Sequence, residues 1–147
     1  MALYAAFANN LDPAAMALRA PNSPLVGTGW LRGWRLTFGG ADLSWQGALP
    51  TVVEDPASAV FVSLYALTEP DQRGLDSAEG FDLGLYRRLH VRVSALAGDE
   101  SAWLYALTGY EGGFPRREVL DRIVAAAIAA GAPADYVSEL AARPSVD

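Results

Sequence analysis

Three carboxylates within seven positions, Asp76, Glu79 and Asp82, are the residues of this chain best suited to moving protons. Other catalytic groups are scarce. There is no cysteine, which removes disulfides, thiolate metal sites and thiol nucleophiles. The one histidine, His90, rules out a multi-histidine metal site. Placed between Arg88 and Arg92 on the polar side of an alternating segment, it reads as a surface or hydrogen-bonded structural residue. No phosphate loop, dinucleotide fingerprint or nucleophile elbow is present, and Gly39-Gly40 and Gly112-Gly113 read as turns. On residue type alone, a solvated acidic loop is the plainer reading of the carboxylate cluster. Glu79, however, precedes Gly80-Phe81 and has small or apolar neighbours. Such surroundings desolvate a carboxylate and raise its pKa toward the range of a general base.

The elements that must hold these residues follow from the pattern. Ala2 to Phe7 is a short apolar run suited to a buried strand, and Asp12-Pro13 opens a short helix through Arg19. Pro21 to Pro24 reads as a loop. Trp30 to Phe38 alternates, with Trp30, Arg32, Trp34, Leu36 and Phe38 expected on one face. Ala48 to Val53 and Val60 to Leu67 are two further β-rich runs. Thr68, with Pro70 and Asp71 after it, starts a helix that stops near Ala78, directly before the acidic cluster's Glu79. Tyr86 to Leu96 and Trp103 to Tyr110 read as strands. Arg116 to Ala130 has helical spacing at Val119, Leu120, Ile123, Val124 and Ala127. Gly131 stops that helix, and Pro133 opens a last one to about Ala142. Strands first and helices last predict an α+β fold, with a mixed, largely antiparallel sheet curled toward a small barrel and flanked by helices.

Residues 1–147 fit a single domain, without repeat or linker. A hydrophobic content of 52% supplies a core, and a net charge of −6 argues against a nucleic-acid surface. The eleven basic residues are all arginine. The longest apolar stretch, Ile123 to Ala132, is too short for a bilayer, and no basic region precedes the first apolar segment. The expectation is a cytoplasmic protein with neither nucleic acid nor membrane as partner.

Three separated segments resemble the γ-glutamylcyclotransferase family, in the same order. Tyr4-Ala5-Ala6-Phe7-Ala8-Asn9-Asn10-Leu11 is similar to the Tyr-Gly-Ser-Asn-Leu loop after that family's first strand. Leu75-Asp76-Ser77-Ala78-Glu79-Gly80, with Tyr86 beyond it, resembles a Leu-Asp-x-x-Glu-Gly…Tyr segment. Gly131-Ala132-Pro133 with Tyr136 and Leu140 resembles the C-terminal Gly-Leu-Pro-x-x-Tyr ending, and Trp45-Gln46-Gly47-Ala48 a Trp-x-Gly-Gly stretch.

The resemblance implies an intramolecular acyl transfer. The α-amine of a γ-glutamyl compound attacks its own side-chain carbonyl, forming 5-oxoproline and releasing the acylated amine. It implies Glu79 as catalytic acid/base and Tyr4, Ala5, Ala6, Phe7, Ala8, Asn9, Asn10 and Tyr86 as substrate-binding residues. The partner implied is a small γ-glutamyl molecule, with no cofactor and no metal. Phe7-Ala8-Asn9-Asn10 keeps only the last Asn of the family's Tyr-Gly-Ser-Asn, and Val119 stands where the family often has a substrate-contacting tyrosine. Glycine's replacement by Ala8 matters if that backbone adopts a positive φ. Read without the resemblance, Phe7 is an ordinary core aromatic, Asn9-Asn10 a turn and Tyr86 a packing residue. The alternatives are a non-catalytic relative used for binding, or an enzyme acting on a different amide.

Overall fold

The computed structural model describes residues 3–40, 47–79, 84–108 and 111–146. Five strands, β1 (Leu3–Ala6), β2 (Leu25–Gly39), β3 (Leu49–Tyr65), β4 (Tyr86–Ala95) and β5 (Gly98–Leu107), close into a barrel in the order β1-β3-β2-β4-β5. β5 returns to β1 in the only parallel pairing among these strands; the others are antiparallel. Four helices flank the barrel: α1 (Pro13–Arg19), α2 (Glu69–Ala78), α3 (Arg117–Ala129) and α4 (Ala134–Ala141). The α+β fold with a mixed sheet is therefore as expected, and the sheet closes completely. Closure removes the exposed edges that an open sheet of this kind would present.

Side chains alternating along the strands supply two apolar clusters. Ala5, Val62, Leu64, Ala102, Leu104 and Ala106 join the buried stripe of α3, Leu120, Ile123 and Ala127. Tyr4, Tyr65, Tyr86, Trp103, Tyr105 and Leu107 gather with Met16 of α1 and Leu75 of α2. Each fully buried Leu or Ile contributes about 1.5–3 kcal/mol by leaving water. The predicted helical periodicity of α3 is thus the face that seats it.

Where β2 meets β4, Gly29 pairs with Ala95. A Cβ on Gly29 would lie 2.7 Å from Val93 Cγ1 and 2.8 Å from the Ser94 carbonyl oxygen, so only glycine lets the two strands come this close.

Two strand expectations need correction. The face shared by Trp30, Arg32, Trp34, Leu36 and Phe38 does not exist as one face, because the register shifts between Arg32 and Trp34. Gly33 takes φ +85° at that bulge, which changes the phase of alternation. Leu31 is buried on one side of the bulge, Leu36 and Phe38 on the other, and Arg32 is exposed. The second correction is that Ala48 to Val53 and Val60 to Leu67 belong to one strand, β3. Pairing jumps from Ala59 opposite Arg32 to Glu54 opposite Trp34. The extra residues are folded back on Asp55, whose carboxylate accepts from the Ala57 N–H at 3.0 Å and the Ser58 hydroxyl at 2.9 Å.

Candidate active site

Thr68 fixes the start of α2. Its hydroxyl oxygen accepts from the Asp71 N–H at 3.4 Å, Pro70 sits in the first turn, and Glu69 and Asp71 place acids at the positive end of the helix dipole. Asp71 is itself buried and accepts from the Asn22 N–H at 2.9 Å and the Ser23 hydroxyl at 2.7 Å, which ties the helix to the loop before β2. Leu75 is fully buried beneath the far end. Glu79 is the C-terminal capping residue, with its N–H donating to the Leu75 carbonyl at 2.9 Å.

The residues facing Glu79 come from the other end of the sequence. After β1 the chain makes a single 3-10 turn, Asn9–Leu11, whose first internal bond runs from the Leu11 N–H to the Ala8 carbonyl. β3 holds this turn by its carbonyls. The Tyr65 hydroxyl donates to Asn10 O and the Ser63 hydroxyl to Leu11 O, both at 2.9 Å. Asn10 is thereby buried with its side-chain amide aimed at the helix end. Its Nδ2 donates to the Tyr4 hydroxyl at 3.1 Å and, in a longer bond, to Glu79 Oε1 at 3.4 Å. The side-chain oxygens of Asn9 and Asn10 are buried without a hydrogen-bond partner among the described residues.

Tyr4, Phe7, Ala8, Asn9, Asn10, Pro50, Glu79, Tyr86 and Tyr105 line a narrow cleft of about 30 Å³. Burial raises the Glu79 pKa, and the Arg19 charge opposes this only in part. Burial, reinforced by the negative charge of Glu79, also raises the pKa of Tyr4 and Tyr86. The Tyr105 hydroxyl is raised by burial first and then by Asp76, and that of Tyr65 by burial to about 12. The cleft therefore joins one carboxylate of raised pKa to phenols that stay protonated at neutral pH.

Of the positions singled out in the sequence, Tyr4, Phe7, Ala8, Asn9, Asn10, Glu79 and Tyr86 meet at this cleft. Ala5 and Ala6 do not line it. Both are buried in β1, Ala5 paired with Leu64 in the cluster beneath α3 and Ala6 in the cluster beneath α2. Tyr86 packs and also donates to the Pro50 carbonyl at 3.2 Å. Ala8 has φ −128°, so the glycine-only backbone considered for this position is not adopted. Val119 is a buried core residue of α3. Asp82, Gly80-Phe81, Trp45-Gln46 and Tyr110 lie outside the described residues. His90 is exposed, as expected.

Sequence reading missed Tyr105, and it counted Asp76 among the candidate carboxylates without seeing its partners. Asp76 is not part of a solvated loop: it is buried, and its two oxygens accept from the Tyr105 hydroxyl and from Arg88 Nη2. The available signal was the alternation of Trp103, Tyr105 and Leu107, which places Tyr105 on one face of β5; its position opposite Arg88 comes from the pairing with β4.

A larger hollow of about 530 Å³ lies by Trp30, Arg35, Tyr136 and Arg143. Its chemistry is the opposite of the cleft's. Hydrogen bonds from Arg143 hold Glu139 below the usual carboxylate range, and Arg35 does the same to nearby Glu111, which makes both poor bases.

A family model described as the AIG2-like family matches residues 59–140. The chain belongs to the AIG2-like family. It is 27% identical over 145 residues to human gamma-glutamylcyclotransferase, covering 95% of this chain and 77% of the human protein. The Bos taurus protein of the same name is 28% identical over 143 residues, covering 94% and 76%. A solved structure titled gamma-glutamyl cyclotransferase superposes with a TM-score of 0.90 at 25% identity, over 99% of this chain and 89% of the other. The family expectation drawn from the three sequence segments is borne out. Among the described residues, no helix is long and apolar enough to cross a membrane.

Proposed function

We propose that this protein converts a γ-glutamyl compound to 5-oxoproline and a free amine, with Glu79 as the proton carrier. The observation that carries this reading is the part-buried Glu79 carboxylate facing the Asn9–Leu11 turn across a cleft whose other described lining residues, a mix of tyrosines, asparagines and small or apolar side chains, are all uncharged. Similarity over nearly the whole chain to proteins named gamma-glutamylcyclotransferase supports it.

The chemistry asks for little beyond a base and a mould. Glu79 takes a proton from the substrate's α-ammonium, and the freed amine nitrogen attacks the side-chain carbonyl carbon. The new C–N bond closes the five-membered ring; the old C–N bond to the amine breaks. In all, the α-nitrogen gives up two protons and the departing nitrogen, leaving as an ammonium, takes up two. A carboxylate placed between the nitrogens serves both transfers, a role worth about 10²–10⁴-fold in rate. Holding the glutamyl chain in its ring-closing shape supplies much of the remainder. The unpartnered oxygens of Asn9 and Asn10 are suitable acceptors for the ammonium before it loses its proton.

The altered Phe7-Ala8-Asn9-Asn10 loop favours a second reading, a binding domain that keeps the fold without the chemistry. Incubation with a panel of γ-glutamyl amines and dipeptides separates the two. The catalytic reading predicts 5-oxoproline from at least one of them at a rate proportional to enzyme. Its absence across the panel would leave the binding domain.

A further inference from the structure

We propose that Asp76 is a positioning residue for Glu79, fixing the last turn of α2 against β4 and β5 and so setting where the Glu79 carboxylate lies. The inference rests on the acid–base role proposed for Glu79. Asp76 precedes it by three residues, about one turn of the same helix. Its Oδ1 accepts from the Tyr105 hydroxyl and its Oδ2 from Arg88 Nη2. Those donors are a cross-strand pair, Arg88 opposite Tyr105, and the Arg88 guanidinium also lies 5.3 Å from the centroid of the Trp103 ring. A stiff piece of barrel therefore presents both donors to one carboxylate.

Leu75 already holds this end of α2 by apolar burial, which is non-directional and does not by itself fix the last turn, whereas Asp71 ties down only the first. Two charge-assisted or buried hydrogen bonds on Asp76 fix the last turn. Glu79 needs the constraint, because the bond it receives from Asn10 is long. Tyr105 couples the parts further: its ring walls the cleft while its hydroxyl holds the helix. Among the described residues, the groups facing Glu79 are Tyr4 of β1, Asn10 of the turn, Tyr86 of β4, Tyr105 of β5 and the Arg19 charge of α1.

Tyr105→Phe is the discriminating variant because it removes a hydrogen bond without changing any charge or the ring that lines the cleft. Asp76→Asn is its companion, with circular dichroism confirming fold in both. The readout is the titration midpoint of the Glu79 carboxyl, followed by carbon NMR in protein without substrate and assigned with Glu79→Gln. A displaced helix end exposes Glu79 to water, so the midpoint falls in both variants, and kcat falls about 10-fold with KM nearly unchanged. A folded Tyr105→Phe protein whose Glu79 midpoint matches the wild type would overturn the proposal. Should the wild type form no 5-oxoproline, the acid–base reading fails on its own, while the titration still decides whether Asp76 positions Glu79.

Discussion

Asn10 donates its side-chain amide to Glu79 across 69 positions of sequence, at 3.4 Å. The same nitrogen reaches the Tyr4 hydroxyl at 3.1 Å. One amide thus joins the turn after β1, the first strand itself and the end of α2. It can do so because Tyr65 fixes the Asn10 backbone from β3.

Replacing Asn10 by Ala removes both side-chain bonds and leaves the Tyr65 bond to the main chain in place. Steady-state kinetics should show kcat/KM at least about 10-fold lower, since Glu79 and Tyr4 both lose their shared donor. Chemical denaturation should show a loss of about 1–3 kcal/mol from disturbing a buried polar pair. A well-folded variant with unchanged kcat/KM would make the turn purely structural.

Ala8→Gly addresses the loop from the other side. Ala8 has negative φ, so no left-handed backbone calls for glycine there, and glycine adds freedom to the unfolded chain. The expected result is a folded protein less stable by about 0.5–1 kcal/mol, with turnover within twofold of wild type. Improved turnover on ordinary γ-glutamyl dipeptides would mean that the methyl group restricts the cleft.

The raised pKa of Glu79 makes a signed prediction about stability. The folded protein holds this proton to higher pH than the unfolded chain does, so its contribution is full below the unfolded pKa and is lost as pH rises through the folded one. Glu79→Gln removes that loss. Thermal melts of the two proteins should therefore diverge from acid toward neutral pH, with the variant equal or more stable at pH 7. The same titration should set the acid limb of kcat/KM, placing it above the ordinary carboxylate range. Parallel melting curves across that interval would place Glu79 in water.

Local signals in the sequence located the helices well. Thr68 with Pro70 marked the start of α2, and the spacing from Val119 to Ala127 marked the buried face of α3. The strands were legible where burial imposes alternation and blurred where geometry breaks it. Gly33 shifts the phase of β2, and Asp55 folds back four polar or small residues inside β3. β5 starts at Gly98, ahead of the Trp103 expected, because Asp99 to Ser101 pair with β4 without offering an apolar pattern. The site divides in the same way. Glu79 and Asn10 were marked by resemblance to a family, but their contact depends on how the barrel closes. Tyr105 and Asp76 meet only through pairing between strands and helix docking, neither of which leaves a mark in local composition.

Production of 5-oxoproline from a γ-glutamyl amine by wild type and Glu79→Gln, side by side, tests the central claim most directly. Gln keeps the size of the side chain and can still accept from Asn10, but it takes up no proton at neutral pH. Because Asp76 is tied into the helix anchor, exposed Ser77 replaced by Ala is the suitable neighbouring control. The account predicts a kcat at least about 10²-fold lower in Glu79→Gln, with fold retained and Ser77→Ala near wild type. Near-normal turnover by a folded Glu79→Gln protein would contradict it.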